Sequence, residues 1–308
     1  MFSEQNNLLI TRTELDDVLF EAFDAPDIFP GRASARTSSI FKVIDTTHSQ
    51  YIEAVNQGVG LFKTTQEFQN IAVSVPQVGG KFIVPIETYT NSIYISKQLF
   101  DDNMHGVWQR DVKDMAKKFL ISQDINAFGL FRGAFTTTLC WNGSALVSAG
   151  YPLLNGGTET NLVTGALSNT SLRDAIIRLA QQQDQAGVVM GNTPKVLLVP
   201  TAEFDNAVRI TNSVLTAGGA NNDVNVYLSV YGLAVFSSPY LDAVAGGSDT
   251  AWFLLSDNHT VTRYIRQGLN TALTDWTFSD NLSYRYQANF REGYAAVSQV
   301  GLVGSLGV

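Results

Sequence analysis

Residues 51 to 85 are the part of this 308-residue chain that most restricts how it can fold. Glycine and proline punctuate a polar stretch, and a two-stranded ribbon of this length cannot bury both faces on its own chain. The ribbon must therefore pack on a further surface, and a hairpin folded back on its own core is one possibility. Alternating apolar residues predict its strands: Ile71, Val73 and Val75, then Phe82, Val84 and Ile86.

The composition also favours self-association. Charged residues make up 16% of the chain, whereas a soluble domain has about 25%, and the centres of protein interfaces are depleted in Lys, Asp and Glu. A monomer with an Asn-, Thr-, Ser-, Gln- and Gly-rich surface is the alternative. The net charge of -8 argues against tight, sequence-independent DNA binding, which needs clustered Lys and Arg.

Residue types that carry chemistry are scattered. His48, His105 and His259 lack zinc-ligand spacing, and no glycine pair is followed by the Lys-Ser/Thr of a phosphate loop. Cys140 is the single cysteine, which fits a reducing compartment and a buried, small apolar side chain. The first residues lack a signal-peptide pattern, and no apolar run is long enough to cross a bilayer. We predict no catalytic, cofactor-binding or metal site, and no membrane contact.

The start of the chain has two parts. Thr13 to Asp16 resembles a capping box and predicts the start of a helix, with Leu15 and Leu19 on its inner face. Residues 31–39 show no periodicity and carry two arginines, which is typical of an extended arm; a disordered tail is the alternative.

A long helix is predicted at about residues 101–131, capped by Asp101 or Asp102. About thirty residues at 1.5 Å each would make a rod of roughly 40 to 45 Å. One apolar stripe runs along it: Met104, Trp108, Val112, Met115, Phe119 and Phe128.

Further elements follow towards the C-terminus. A capped helix is predicted to start at Ser171, with Leu172, Ala175, Ile176 and Leu179 inward and Gly187 as its C-cap. Residues 195–199 predict a strand buried on both faces, and Pro200-Thr201 predicts the start of another helix. Residues 216–222 predict a loop. Residues 283–290 alternate with a period of two, which predicts a half-buried strand.

Three stretches carry a family resemblance. Residues 89–108 hold an Ile-Ser-Lys-x-Leu-x-Asp-Asp run before the long helix, and residues 136–161 hold Pro-Leu-Leu and Gly-Gly-Thr. The third stretch runs from Lys195 through GLVGS, which ends at Ser305. In this order the stretches resemble major capsid proteins of tailed bacteriophages, closest to the Mu-like prophage head subunits. Tyr151 departs from the pattern, because relatives often have His there.

The resemblance implies an α+β capsid fold of the Hong Kong 97 type. Its parts would be an N-terminal arm at 1–39 that lies on neighbouring subunits, a peripheral-domain strand at 40–50 and an E-loop at 51–88 that packs on the next subunit. The peripheral domain would continue over 89–160 with its spine helix at about 101–131. Residues 161–280 would be mostly axial domain, and 281–308 would return to the core.

The implied function is structural. Copies would form hexamers and pentamers of an icosahedral head that encloses double-stranded DNA without sequence-specific binding, in the virion and, during assembly, in the host cytoplasm. A short N-terminal arm suggests that scaffolding comes from a separate protein; a portal and decoration proteins are further expected partners. The alternatives are an encapsulin-like compartment shell and a soluble β-rich enzyme or binding module. We expect inter-subunit contacts at Arg32, Arg36, Lys63, Gly79, Gly80, Lys81, Gly218 and Gly219, with Gly79 and Gly80 at the ribbon tip.

Overall fold

The structure is a computed structural model, and it describes residues 2–23, 31–58, 61–71, 73, 75, 78–101, 107–214, 224–278 and 281–308. Its α-helices are α1 (Phe2–Phe23), α2 (Lys97–Asp101), α3 (Val107–Arg132), α4 (Asn169–Gln181) and α5 (Phe204–Asn212). Its strands are β1 (Lys42–Asp45), β2 (Gln50–Asn56), β3 (Val78–Pro85), β4 (Glu87–Ser96), β5 (Tyr151–Pro152), β6 (Thr158–Glu159), β7 (Leu162–Val163), β8 (Pro194–Val199), β9 (Ala234–Ser237), β10 (Trp252–Ser256), β11 (Val261–Thr274), β12 (Ser283–Ala296) and β13 (Leu302–Ser305).

Two sheets form the body of the subunit. A four-stranded sheet has the order β1-β11-β12-β4, and a five-stranded sheet has the order β7-β13-β10-β8-β9. Strands β2 and β3 form a separate antiparallel hairpin, and β5 pairs with β6. The mixture of helices and sheets confirms the predicted α+β class.

Helix α3 connects the two sheets. Its first half packs Trp108, Val112 and Met115 against the four-stranded sheet, and its second half packs Phe128 and Phe131 into a core that includes the five-stranded sheet. Its 26 residues span about 39 Å. The predicted long helix with one apolar stripe is confirmed, although it begins at Val107: Asp101 ends α2 instead, and Asp102 and Met104 lie outside the described residues.

The five-stranded sheet is covered on both faces, as predicted from the apolar run of β8. Leu197 and Val199 point towards α4 and α5, while Val196 and Leu198 point towards α3. The inner residues of α4 are buried as expected: Leu172, Ala175, Ile176 and Leu179.

The four-stranded sheet also has two covered faces. One face, with Tyr286 and Ala288 of β12, packs against α1 and α3. The other face, with Tyr264 of β11, packs against Val84 of the hairpin. The alternation predicted for β12 is confirmed at Tyr286, Ala288 and Phe290, whereas Ser283 at its start is buried as well.

A buried polar cluster joins α3 to this sheet. Glu292 accepts hydrogen bonds from Arg263 Nε and Nη2 at 3.0 and 2.7 Å, from Gln123 Nε2 at 3.1 Å and from Tyr294 Oη at 2.8 Å. Removing one partner from a buried ion pair costs about 3–5 kcal/mol. The cluster therefore ties α3 to the sheet through Gln123.

Two helix starts were predicted wrongly. Helix α1 begins at Phe2, so Thr13 to Asp16 lies within the helix. Helix α4 begins at Asn169, with Ser168 as N-cap and Ser171 as the third helical residue that closes the capping box. Ser171 fills the third helical position, which Glu or Gln usually takes, so the sequence pattern placed the start of the helix three residues too late.

The C-cap prediction at Gly187 is also wrong. Helix α4 has Gln182 as its C-cap, and Gly187 closes a later turn, in which its N–H donates to Asp184 O at 3.0 Å. Its positive φ of 83° is one that glycine adopts readily.

Late in the chain, the strands are divided between the two sheets. Strand β11 lies within the range predicted as mostly axial domain, yet it pairs with β12 and β1 in the four-stranded sheet. Strand β13 lies in the five-stranded sheet between β7 and β10. Within residues 40–50, where a peripheral-domain strand was expected, β1 spans Lys42–Asp45.

Candidate assembly surfaces

The base of the hairpin, where Tyr51 pairs with Val84, is anchored on its own subunit. The ring of Tyr51 lies 4.7 Å from that of Tyr264, centroid to centroid, and Val84 is buried beside Phe82. For this part of the ribbon the alternative reading, a hairpin that packs on its own core, is correct.

Beyond the base, the hairpin carries apolar side chains into solvent. We call residues 57–77, which connect β2 to β3, the hairpin extension. Its described apolar residues are 70 to 107% exposed: Leu61, Phe62, Phe68, Ile71, Val73 and Val75. Burying one such side chain contributes about 1.5–3 kcal/mol, and large exposed apolar patches mark interaction sites.

Strand pairing in the hairpin is shorter than predicted. Ile71, Val73 and Val75 alternate in sequence but belong to no strand, because β3 begins at Val78. Phe62 and Phe68 were missed as contact candidates, because they lie in a largely polar stretch and follow neither a strand nor a helix period. Two phenylalanines in a polar stretch could have served as the signal.

The predicted contact residues of the ribbon occupy different positions. Lys63 is an exposed residue of the hairpin extension. Gly79, Gly80 and Lys81 lie in β3, so the expectation that the glycines form the tip is wrong. A Cβ atom at Gly79 would approach Val55 O to 2.7 Å and Trp141 Cζ3 to 3.3 Å. Close strand pairing therefore explains this glycine.

The described start of the chain packs on its own subunit. We call residues 12–22 and 31–41 the N-terminal segment. Leu15 and Leu19 of α1 are buried against α3 and β12, and Ile40 and Phe41 are buried in the core beneath α3. Leu15 and Leu19 confirm the predicted inner face, whereas the picture of an extended, projecting arm is wrong for these residues.

Hydrogen bonds fix the N-terminal segment to both sheets. Asp16 accepts hydrogen bonds from Tyr286 Oη at 2.6 Å and Thr271 Oγ1 at 2.7 Å. Residues 31–33 bond to Ser237 at the edge strand β9, with Ala33 N to Ser237 O at 2.7 Å. Backbone pairing therefore extends the sheet by a short sixth segment.

The two candidate arginines lie in this segment. Arg32 is half-buried, and its Nη2 is 3.7 Å from Asp124 Oδ2 of α3; Arg36 is exposed. Their contact with neighbouring subunits stays a prediction.

A second exposed apolar region lies beyond α5. A π-helical turn, Tyr227–Tyr231, is held to the body because Asn225 Nδ2 donates to Ile210 O at 2.7 Å and Tyr227 Oη donates to Asn169 O at 2.7 Å. Gly218 and Gly219, predicted to contact a neighbour here, lie outside the described residues. Four side chains on this region are exposed: Val224, Val226, Leu228 and Val230.

Two buried side chains have shifted pKa values. Burial raises the pKa of the Cys140 thiol to about 12, so the group is a neutral thiol at physiological pH, and its predicted burial is confirmed. Burial, together with Lys42, lowers the pKa of His259 to about 4, while its Nε2 lies 3.3 Å from Ser39 O. Both groups are neutral structural residues at pH 7.

Among the described residues, no three or more His, Cys, Asp and Glu side chains are grouped to hold a metal ion. Over the same part of the chain, no helix has the length and apolarity that a membrane span requires.

A protein family matches most of this chain. Residues 81–302, more than two thirds of the chain, match the family described as phage capsid protein. No curated protein matches the chain in sequence.

Solved capsid structures share the fold at low sequence identity. The capsid chain of a native GTA particle superposes with a TM-score of 0.59 at 13% identity, covering 92% of this chain and 93% of that chain. The capsid chain of cyanophage P-SCSP1u gives 0.58 at 12% identity, with 92% and 90% covered. The virus-like particle from Pyrococcus furiosus gives 0.52 at 9% identity, with 95% and 98% covered.

Proposed function

The chain belongs to the phage capsid protein family, and from this premise we propose that its copies assemble into the hexamers and pentamers of an icosahedral phage head. The protein is a structural major capsid protein with a capsid-type α+β fold. It forms part of a virion shell through association with further copies of itself.

The observation that carries the proposed assembly is the exposure of the hairpin extension. Its described apolar side chains are 70 to 107% exposed, with Phe62 at the upper end of that range. A soluble monomer rarely displays a patch of this kind. We infer that the extension contacts an adjacent subunit, and closed symmetry would add many such contacts into a stable shell.

We further propose that the shell encloses double-stranded DNA without gripping it, and that the protein has no enzymatic role. The net charge of -8 suits a container, because tight DNA binding would need clustered positive charge. A separate scaffolding protein, a portal and decoration proteins are the partners we propose, with assembly in the host cytoplasm.

Sedimentation and electron microscopy of the purified chain test this function. We expect closed particles, and loss of particles with an unchanged melting temperature in Phe62→Ser/Ile71→Ser. The matched control Thr65→Ser lies in the same exposed segment and should assemble normally. A wild-type chain that stays monomeric at high concentration, even with scaffolding protein added, would refute the proposal.

A compartment shell is the second candidate, because the fold is also similar to that of the Pyrococcus furiosus virus-like particle. Particles isolated from the native source distinguish the two functions. Nuclease-protected DNA and a tail vertex support the phage head, whereas packed protein cargo supports the compartment.

A further inference from the structure

We propose that Phe68 of one subunit inserts its ring into an apolar groove on a second copy of this chain, between α1, α3 and the four-stranded sheet. This inference rests on the proposed assembly and names one of its contacts.

The groove has room for one aromatic ring. Its volume is about 180 Å³, and a cavity of about 150 Å³ is enough to hold benzene. The apolar part of its lining comes from all three elements: Leu19, Met115, Phe119, Leu269, Ala288 and Phe290.

Aromatic rings already meet in this groove. The ring of Tyr89 stacks on Phe290 with centroids 4.9 Å apart, and Phe119 meets Phe290 edge-on at 4.6 Å. An incoming ring would extend this cluster, since aromatic pairs favour stacked and edge-to-face contacts at such distances.

Phe68 is held in a conformation that phenylalanine rarely adopts. It lies in a tight turn, closed by Gln69 N donating to Gln66 O at 3.1 Å, with a φ of 65°. Glycine would adopt this left-handed backbone without penalty, whereas a bulky side chain is strained there. The side chain is nevertheless fully exposed. Backbone strain at an exposed aromatic residue points to a contact made outside the subunit.

The charged residues beside the two phenylalanines favour Phe68 over Phe62 as the inserted ring. Lys118 lines the groove; within the described part of the chain, neither Lys118 nor Glu67, which precedes Phe68, has an ion-pair partner. Seating Phe68 would bring these opposite charges together. Phe62 is followed by Lys63, which would repel Lys118.

The occupant has to come from another copy, because the exposed ring of Phe68 does not reach the groove of its own subunit. Each subunit then offers one ring and one groove at different places on its surface. Such a head-to-tail contact closes into a ring of subunits when the rotation between neighbours closes.

Cysteine pairing tests the geometry directly. Ser122 lines the groove, and the native Cys140 is buried. We expect Phe68→Cys/Ser122→Cys particles treated with copper-phenanthroline to give a ladder of disulfide-linked multimers on non-reducing gels. The matched pair Phe62→Cys/Ser122→Cys should give at most a tenth as much.

Assembly thresholds test the energetics. We expect Phe68→Ala to raise the subunit concentration needed for assembly about tenfold or more, and Phe62→Ala about threefold or less. Glu67→Lys and Lys118→Glu should each raise it about two- to fivefold, and the double swap should restore it.

The outcomes separate this contact from the assembly itself. Normal particles of Phe68→Ala, with no ladder from the first cysteine pair, would overturn the groove contact and leave the shell function standing. A wild-type chain that forms no particles would overturn both.

Discussion

The hairpin extension and the N-terminal segment carry similar apolar side chains but place them in opposite surroundings. Phe41 is buried among three aromatic rings of its own subunit, Phe128, Phe131 and Tyr294. Phe68 is fully exposed at the tip of a turn. One segment therefore stabilises the subunit, while the other keeps its apolar surface for contacts made later.

Backbone hydrogen bonding also differs between the N-terminal segment and the hairpin extension. Ala33 N and Ala35 N of the N-terminal segment donate to Ser237 O and Asp124 Oδ1, at 2.7 and 2.8 Å. Between residues 61 and 71 of the hairpin extension, the described backbone bond is the single turn at Gln66 and Gln69. The N-terminal segment is thus part of the folded body, and substitutions in the two regions should affect different measurements.

The largest expected difference is between two phenylalanines. Phe41→Ala should lower the free energy of unfolding of the subunit by about 3–5 kcal/mol, since it leaves a cavity among packed rings. Phe62→Ala, the exposed counterpart, should change it by less than about 0.5 kcal/mol. Denaturant titrations below the assembly concentration measure both values. Equal losses would show that the two segments contribute alike.

Acid should loosen the N-terminal segment through His259. Its pKa is about 4 when folded and 6.5 when unfolded, so the unfolded state binds the proton first as pH falls. Stability is therefore present above pH 6.5 and is lost between about 6.5 and 4, by up to about 3 kcal/mol. The pH dependence of unfolding should flatten in His259→Gln. An unchanged slope in that variant would contradict the assignment.

A smaller effect is expected at the anchor of α1. Asp16→Asn weakens the acceptor of two hydroxyl groups and should cost about 1.5–3 kcal/mol. Protease cleavage within α1 should become faster. Asp17→Asn, which changes an exposed neighbour on the same helix, serves as control. Similar cleavage rates for the two variants would mean that the Asp16 contacts do not hold the helix.

The smallest effect is expected where the paired strands β2 and β3 meet the hairpin extension. Gly79→Ala would place a Cβ 2.7 Å from Val55 O, whereas Gly80→Ala meets its nearest atom at 3.6 Å. We expect about 1–2 kcal/mol of destabilisation for the first and less than about 0.5 kcal/mol for the second. Hydrogen exchange of the β2 and β3 amides measures the difference. Matching exchange rates would show that the strand approach is not tight.

The features predictable from sequence were those with a local period. The stripe of α3 and the alternation of Tyr286, Ala288 and Phe290 each repeat within a few residues, and β8 is a short continuous apolar run. Strand β11 was missed because its residues show neither the two-residue period of a strand nor the 3.6-residue period of a helix. Its sequence is VTRYIRQGLNTALT.

Long-range pairings could not be read from the sequence. Arg263 and Glu292 are separated by 29 residues, and nothing local marks them as partners. The same holds for Asp16 and Tyr286, which lie 270 residues apart. Low periodicity at residues 31–39 was interpreted as a projecting arm, yet irregular backbone can also be packed when its polar groups find partners.

The position of β12 and β13 in the two sheets has a consequence for synthesis. Strand β12 lies between β11 and β4, and β13 lies between β7 and β10, so neither sheet is continuous until residues 283–305 have left the ribosome. The hairpin emerges far earlier, when no completed body exists to support it. Translation order thus delays the assembly-competent state, and a prematurely terminated chain would lack an interior strand of each sheet and could not be built into a shell.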